Sequence, residues 1–316
     1  MTGPQARPRS SVSEDQENGH RSYYGRPVIK EPTWEWEIPA YFFTGGLAGA
    51  SSVLALLAEL GGNGRLARAA RLTALAGAVA SPVLLVMDLG RPMRFYNMLR
   101  VFKPTSPMSV GTWILSAFGT ATGAAAASDL LGVFPRAGRA MGVLSALLGP
   151  ALSTYTAVLI TDTSVPVWHE ARRELPLVFA ASSVASAGAA ATILTPPREA
   201  GPARRLAVGG TVAELGATRL MKRRLGAFLA EPYEEGEAKR FDKLSKACAG
   251  VGAVTMGLAG HRSRVAAAAG GALMLAGAGL ERWSIFRAGF QSARDPKYTV
   301  VPQRERLQER DAEGGG

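Results

Sequence analysis

The chain has 316 residues, of which 47% are hydrophobic, and it carries a formal net charge of +11. Its mean hydropathy is only +0.08, because polar ends dilute a middle in which several segments consist almost entirely of Ala, Leu, Val and Gly. These segments exclude an ordinary soluble domain, since long apolar runs are typical of helices that cross a membrane. We therefore predict an all-α, polytopic integral membrane helix bundle.

Apolar runs close to the roughly 20 residues needed to cross a bilayer predict about eight transmembrane helices. In chain order they cover residues 38–60, 67–87, 109–131, 141–160, 175–194, 204–221, 246–260 and 265–287. The sixth and seventh have short charge-free cores, so they span only if the flanking Arg219, Lys246 and Arg262 extend toward the interface.

The two ends of the chain differ from this apolar middle. Residues 1–33 and 292–316 are polar and charged, which predicts tails without a fold on either side of a transmembrane domain at residues 34–291. The first apolar run begins after more than thirty polar residues and is too long for a signal peptide. The first helix is therefore expected to remain as a membrane anchor.

The distribution of basic residues predicts the orientation. With eight helices, 26 of the 36 Lys and Arg residues fall on the side that holds both termini, counting those at the adjoining helix ends. Positive charge is retained in the cytoplasm during insertion, so both termini are predicted to be cytoplasmic in the cell membrane. This topology explains the net charge without a nucleic-acid partner.

A second asymmetry concerns the same side. All five tryptophans are predicted at helix ends or loops there, although an aromatic belt normally decorates both interfaces. Chance combined with interfacial anchoring is one explanation. The charged, proline-containing stretches at residues 31–43, 88–104, 160–176 and 281–304 also lie on this side, which favours a functional face.

The chain offers few residues that could hold a redox centre. Its single cysteine, Cys248, excludes an iron–sulfur cluster or a disulfide within one chain. His20, His169 and His261 are placed so that a haem with two histidine ligands inside the helices is excluded. No nucleotide-binding signature is present. An electron-transfer role would therefore need a cofactor that diffuses in, or centres held by another subunit.

Polar side chains share helix faces near the predicted cytoplasmic surface. Glu37 and Tyr41 lie four residues apart at the start of the first helix, so both project from one face. Tyr155 and Asp162 lie seven residues apart near the end of the fourth helix, again on one face. These positions place two phenols and two carboxyls near the cytoplasmic surface, with Asp162 about 10 Å nearer to it than Tyr155. We expect the Asp162 carboxyl to be partly buried.

Further ionisable groups adjoin the apolar runs. Asp88 and Arg91 close the second helix, Glu281 and Arg282 end the apolar run of the eighth, and Glu214 interrupts the sixth.

Each of these groups also has a structural explanation. Asp88 would form a helix-end ion pair with Arg91 or Arg94, the two tyrosines would be interfacial anchors, Glu281 would be a solvated helix end, and Glu214 would pair with Arg219. Together, however, the groups form the set that a small polar head group entering from the bilayer would require.

Four stretches of the chain resemble the NrfD family, the membrane subunit of polysulfide-reductase-type molybdoenzyme complexes. They are "WEWEIPAYFFTGGLAGAS" at residues 34–51, "DLGRPMRFYNMLRVFKPTSPMSVGTWIL" at 88–115, "YTAVLITDTSVPVWHEARRELPLVFAAS" at 155–182 and "ERWSIFRAGFQSARDPKYTVVPQR" at 281–304. The resemblance covers nearly all of residues 34–304, and the second stretch is its most specific part.

The resemblance implies a membrane anchor of eight or more helices, without haem or iron–sulfur cluster of its own, that binds a quinone close to the membrane surface. Menaquinone is the expected quinone. The quinone would lie beneath a four-cluster iron–sulfur subunit, which links the anchor to a molybdopterin catalytic subunit such as a formate dehydrogenase. The chain would then pass electrons between the iron–sulfur subunit and the quinone.

The family pattern also implies roles for individual residues. Tyr155 occupies the position of the helix-four tyrosine that hydrogen-bonds a quinone carbonyl, whereas Glu35 and Glu37 stand where family members carry a polar or histidine-type side chain. The partner of the second carbonyl is therefore left open. The predicted quinone-binding residues are Glu37, Tyr41, Asp88, Arg91 and Tyr155, the proton-transfer residues are Asp162 and Glu281, and the partner-docking residues are Arg94, Arg100 and Lys103.

Two other functions are compatible with a polytopic membrane chain. A proton-coupled secondary transporter would use Glu214, Asp162 and Glu281 to carry the coupling proton. It should show polar groups near the midplane and related halves of the chain, but the sequence shows no convincing repeat and its polar groups are expected at one end. The other alternative is a purely structural anchor that does not touch quinone.

Overall fold

The computed structural model describes residues 28–304, and within this range the chain is helical without strands. The helices are α1 (Glu37–Leu60), α2 (Gly64–Asp88), α3 (Phe95–Arg100), α4 (Pro107–Leu131), α5 (Pro135–Thr161), α6 (Pro166–Glu170), α7 (Leu175–Leu194), α8 (Gly201–Glu234), α9 (Gly236–Leu258) and α10 (Arg264–Arg294). A 3₁₀ turn at Pro92–Arg94 precedes α3. Eight of the helices are long, and each overlaps one of the eight predicted from the sequence.

Local sequence signals determine where several of these helices begin. The side chains of Asn63, Ser106 and Ser263 accept hydrogen bonds from backbone N–H groups in the first turns of α2, α4 and α10. Proline occupies the first turn of α4 and α5, where its missing N–H costs no hydrogen bond.

Five of the long helices are both long enough and apolar enough to cross a membrane, namely α1, α2, α4, α5 and α7. The total number of crossings stays a prediction, since α8, α9 and α10 are more polar. Their central turns nevertheless expose apolar side chains, among them Val212, Val251 and Val254. Such outward-facing valines are suited to contact with lipid.

The last three long helices extend beyond their predicted limits. α8 continues past residue 221 but breaks at Gly226, whose φ of 70° and ψ of 176° suit a residue without a Cβ. α10 continues to Arg294 because no helix-breaking residue intervenes before Pro296. Glu281 and Trp283 therefore lie well inside α10, and the prediction of Trp283 at a helix end is wrong.

The long helices form antiparallel neighbours in the pairs α1 with α2, α4 with α5, α7 with α8 and α9 with α10. α1 and α7 occupy the centre, because each also contacts helices from the other half of the chain. Gly49 and Gly149 let α1 and α5 cross closely, since a Cβ on Gly149 would stand 2.4 Å from the Gly49 carbonyl oxygen.

One end of this bundle collects the described ends of the chain, and we call it the terminal face. It comprises residues 28–37, 89–106, 162–174, 226–236 and 295–304. Residues 297–304 are helical and pack here, so helical structure reaches into the predicted C-terminal tail. The rest of that tail and residues 1–27 of the predicted N-terminal tail lie outside the described residues.

Candidate functional site

Two of the predicted tyrosines meet below the terminal face. The ring centroids of Tyr41 on α1 and Tyr155 on α5 are 6.3 Å apart, with an interplanar angle of 59°. Tyr155 also lies against Gly111 of α4, where an added Cβ would stand only 2.0 Å from its Cε2 atom. The absence of a side chain at Gly111 therefore allows three helices to meet around the Tyr155 ring.

Glu37 and Tyr41 contribute buried polar atoms without a partner. Glu37 lies one turn before Tyr41 on the same face of α1, and both side chains are buried. Within residues 28–304, neither Glu37 Oε2 nor Tyr41 Oη has a hydrogen-bond partner. Because an unsatisfied buried polar atom costs about 1–3 kcal/mol, these two oxygens leave hydrogen-bonding capacity that water or another molecule can fill.

Asp88 lies beside this pair. It is the half-buried last residue of α2, close to the Glu35 backbone and within electrostatic range of the Glu35 and Glu37 carboxylates. The structure thus brings Glu37, Tyr41, Asp88 and Tyr155 together from three helices, as the sequence predicted. Arg91 follows Asp88 by three residues, its side chain is exposed, and it forms no hydrogen bond or ion pair with another described side chain.

The segment between α2 and α4 covers the terminal face beside these residues. The predicted docking residues Arg94, Arg100 and Lys103 are all exposed there. Met93 and Phe102 are also exposed, by 74% and 58%, and the Phe102 ring meets the edge of Trp113 at 6.1 Å. The segment therefore presents both basic and apolar side chains outward.

Asp162 lies further out than expected. It follows the last residue of α5, and its side chain is exposed, whereas Tyr155 is half-buried. The partial burial expected for the Asp162 carboxyl is not found, because the helix ends one residue earlier and the chain turns toward the surface. Asp162 can therefore exchange protons with water directly.

Glu281 belongs to a buried ionic cluster rather than to a solvated helix end. Its Oε2 accepts a hydrogen bond from Arg282 Nη1 at 3.0 Å, and its Oε1 accepts one from Thr218 Oγ1 at 3.3 Å. Glu214 approaches the same carboxyl and does not pair with Arg219, which is exposed. The expectation that the acidic groups all lie at one end is therefore wrong for Glu214 and Glu281, because α8 and α10 both extend past their predicted ends.

Arg282 is a buried charge whose partners the sequence did not indicate. Its Nη2 donates to the Phe179 carbonyl oxygen at 3.0 Å, and its guanidinium lies 3.8 Å from the centre of the Phe179 ring. The sequence signal was an arginine adjoining a glutamate inside a long apolar run, which is an arrangement that is costly unless both charges are paired.

Trp168 is a buried packing residue rather than an interfacial anchor. It lies on the short helix α6, and its Nε1 donates to the Ile285 carbonyl oxygen at 2.8 Å. Its ring stacks on Trp34 at 6.0 Å and packs against Phe286 and Phe290. Trp168 thus joins the start of the chain to α10 at the terminal face.

Contacts with Glu231 hold the helical segment after α10, residues 297–304, against the terminal face. Tyr298 Oη donates to Glu231 Oε2 at 2.9 Å, and Lys297 Nζ lies 2.9 Å from the same oxygen. Burial raises the pKa of Tyr298 to about 12, and the hydrogen bond to Glu231 raises the pKa of Lys297. Next to this group lies an open cleft of about 730 Å³, lined by residues that include His169, Arg172 and Tyr298.

Comparison with known proteins identifies one family. The model of the family described as polysulphide reductase, NrfD, matches residues 28–229, which is more than half of the chain and reaches from the start of the described residues into α8. No curated protein matches the chain. Among the described residues, no group of three or more His, Cys, Asp or Glu side chains is placed to hold a metal ion.

Proposed function

The chain belongs to the NrfD family of multi-pass membrane subunits of molybdoenzyme complexes, and we propose that it binds a quinone at the terminal face and exchanges electrons between it and a partner subunit. The anchoring role follows from the family and from the membrane-spanning helices.

One observation supports the quinone site above all others. Glu37 Oε2 and Tyr41 Oη are buried without partners within one turn of α1, and the Tyr155 ring is 6.3 Å from that of Tyr41. In a hydrocarbon environment, backbone and side-chain polar groups need partners because no water can supply them. A quinone head group fits, since its carbonyl oxygens accept hydrogen bonds from phenols and its reduced form donates to carboxylates.

The surroundings suit a ligand that arrives from the bilayer. Exposed apolar residues, including Met93 and Phe102, lie on the segment between α2 and α4 at the same face. An isoprenoid tail can contact such residues while the head group reaches the buried oxygens. Menaquinone is the quinone that we expect from the family resemblance.

Electrons must come from outside this chain. Cys248 is the single cysteine, so an iron–sulfur cluster cannot be built from the chain's own thiolates. We propose that a four-cluster iron–sulfur subunit docks on the exposed Arg94, Arg100 and Lys103, and that it connects the chain to a molybdopterin catalytic subunit. The basic side chains suit an acidic partner surface, because complementary charge favours encounter and orientation.

The chain's own residues would then position the head group and handle protons. A phenol donor stabilises a quinone oxygen more as that oxygen gains negative charge, so Tyr41 and Tyr155 would favour reduction. Two-electron reduction also consumes two protons. Glu37 and Asp88 adjoin the site and can deliver them, and the exposed Asp162 can collect protons from water at the same face.

Tyrosine-to-phenylalanine variants test this proposal. In Tyr155→Phe and Tyr41→Phe, quinone-linked turnover should fall by roughly tenfold or more, the scale of a hydrogen bond worth about 1.5 to 3 kcal/mol. Activity with a soluble dye that takes electrons from the partner enzyme should be unchanged. Tyr41→Phe should also stabilise the protein by about 1 kcal/mol, because it removes a buried hydroxyl without a partner.

Tyr96→Phe provides the matched control, since Tyr96 is 63% exposed on the covering segment. It should alter neither turnover nor thermal stability. Wild-type quinone turnover in both Tyr41→Phe and Tyr155→Phe would reject the site and favour a purely structural anchor.

A further inference from the structure

The buried ionic cluster lies near the middle of the bundle, away from the quinone site. Glu281 is about 20 Å from the end of α10 at 1.5 Å per residue, and Glu214 is at a similar depth in α8. Glu214, Glu281 and Arg282 are only 4%, 7% and 2% exposed. The cluster is thus enclosed by α7, α8 and α10, with α1 contributing Gly46 at this level.

The charges in this cluster do not balance if every group is ionised. Two carboxylates and one guanidinium leave a net charge of −1 in a low-dielectric interior. Arg282 bonds Glu281 directly, so its charge is already engaged. A second carboxylate beside the first would add repulsion that a low-dielectric interior screens poorly.

The two carboxyls are placed so that one proton between them would remove this excess negative charge. The Glu214 and Glu281 carboxyls lie within hydrogen-bonding reach of each other, and Ser182 lies beside both. Two carboxylates cannot bond to each other because neither has a donor, whereas one protonated carboxyl can donate to the other. Thr218 then occupies the remaining oxygen of Glu281.

We propose that Glu214 and Glu281 share one exchangeable proton, so that together with Arg282 they form an electrically neutral proton-binding site inside the second half of the bundle. The site goes beyond the proposed function, because it contains no quinone-binding residue. When it releases its proton, a carboxyl O–H bond breaks, the proton passes to a hydroxyl or water, and the cluster is left with a charge of −1.

Tyr233 provides the route by which this proton reaches water. Its side chain is buried, its hydroxyl has no partner among the described residues, and it lies within electrostatic range of both Glu281 and Asp242. Asp242 accepts hydrogen bonds from Lys222 at 3.0 Å and Lys246 at 2.6 Å. Tyr233 and all three of these groups line an open cleft of about 550 Å³ near the terminal face.

A chain of side-chain contacts connects the site to the residues proposed to bind quinone. The Arg282 guanidinium stacks on Phe179, the Phe179 ring lies 5.9 Å from Phe42, and the Phe42 ring lies 6.2 Å from Tyr41. Three side-chain contacts therefore join Arg282 to Tyr41, and a proton stored beside Arg282 would be available to the reduced head group. This last role alone rests on the proposed function.

Infrared spectroscopy of the purified full-length protein or its complex tests the proton site without quinone. The wild type should show the C=O stretch of a buried carboxylic acid at pH 7, where an exposed glutamate is ionised. Glu214→Gln and Glu281→Gln should each remove that band, because the remaining carboxylate would pair with Arg282. Glutamine has the shape of a protonated glutamate, which favours retention of the fold.

Glu234→Gln is the matched control, because Glu234 is exposed on the same helix. It should keep the band. Tyr233→Phe should also keep it, but deuterium exchange of the band should slow by roughly a hundredfold, the scale of losing one proton-transfer group.

Four outcomes would overturn the inference. The first is a wild-type spectrum without the band at pH 7, a measurement that needs no variant. The second is a band that survives in both glutamine variants, and the third is loss in only one of them, which would place the proton on a single carboxyl. Unchanged deuterium exchange in Tyr233→Phe would overturn the route through the phenol.

Discussion

A single methyl group added at Gly111 should slow quinone-linked turnover while leaving the complex assembled. In Gly111→Ala the added Cβ would stand 2.0 Å from Tyr155 Cε2 and 2.7 Å from both Cδ2 and Cζ. Favourable carbon–carbon contacts lie at about 3.5–4.0 Å, so the ring must move by about 1.5 Å or α4 and α5 must separate. The substitution therefore displaces the proposed hydrogen-bond donor without removing it.

The expected effects differ between stability and turnover. Overpacking costs about 1–3 kcal/mol, and the replacement of glycine inside a helix returns about 1 kcal/mol, so the net destabilisation should be about 0–2 kcal/mol. Quinone-linked turnover should fall by about a hundredfold, since a misplacement of about 1 Å can have that effect. Dye-linked activity of the partner enzyme should persist.

Gly119→Ala is the control on the same helix. No atom lies within 4 Å of a Cβ built at Gly119, so this variant should be slightly more stable than the wild type and should retain quinone turnover. Both variants can be compared by thermal unfolding in detergent and by the two activity assays. If Gly111→Ala turns over quinone as fast as Gly119→Ala does, the position of the Tyr155 ring is irrelevant and the reasoning fails.

The remaining predictions concern the terminal face. A reporter that is active only in the cytoplasm should be active when fused after Gly316 and inactive when inserted near Gly62, and the reverse pattern would reject the predicted orientation. Simultaneous replacement of three basic residues by Glu should release the iron–sulfur subunit from membranes, because an anionic segment would repel an acidic partner surface. The three residues replaced are Arg94, Arg100 and Lys103. Unchanged co-purification of the iron–sulfur subunit with this variant would exclude the segment as the docking site.

The sequence by itself determined the helices and the helix face that carries two of the proposed quinone-binding residues. Apolar runs of bilayer length identified the eight long helices, because hydropathy and length are properties of contiguous residues. The four-residue spacing of Glu37 and Tyr41 correctly placed them on one face of α1, since helix geometry is local. The stretch at residues 88–115 indicated the family, which the comparison confirmed.

Tertiary structure alone decided which groups from different helices meet. No local pattern shows that Gly111 makes room for Tyr155, or that Trp168 inserts against α10, because these contacts depend on how the helices cross. Asp162 and Glu281 show the same limit of sequence-based prediction, because the first is more exposed and the second more buried than the sequence predicted. A helix that ends at Thr161 leaves Asp162 exposed, whereas a helix that continues to Arg294 carries Glu281 into the interior.

The buried cluster has the same origin. Glu214 and Glu281 are 67 residues apart in the chain, and only the packing of α8 against α10 brings their carboxyls together beside Arg282. Sequence can show that each charge is unusual in an apolar run, but the free energy of a buried charge depends on its neighbours and on the water excluded around it. Those neighbours are supplied by the fold.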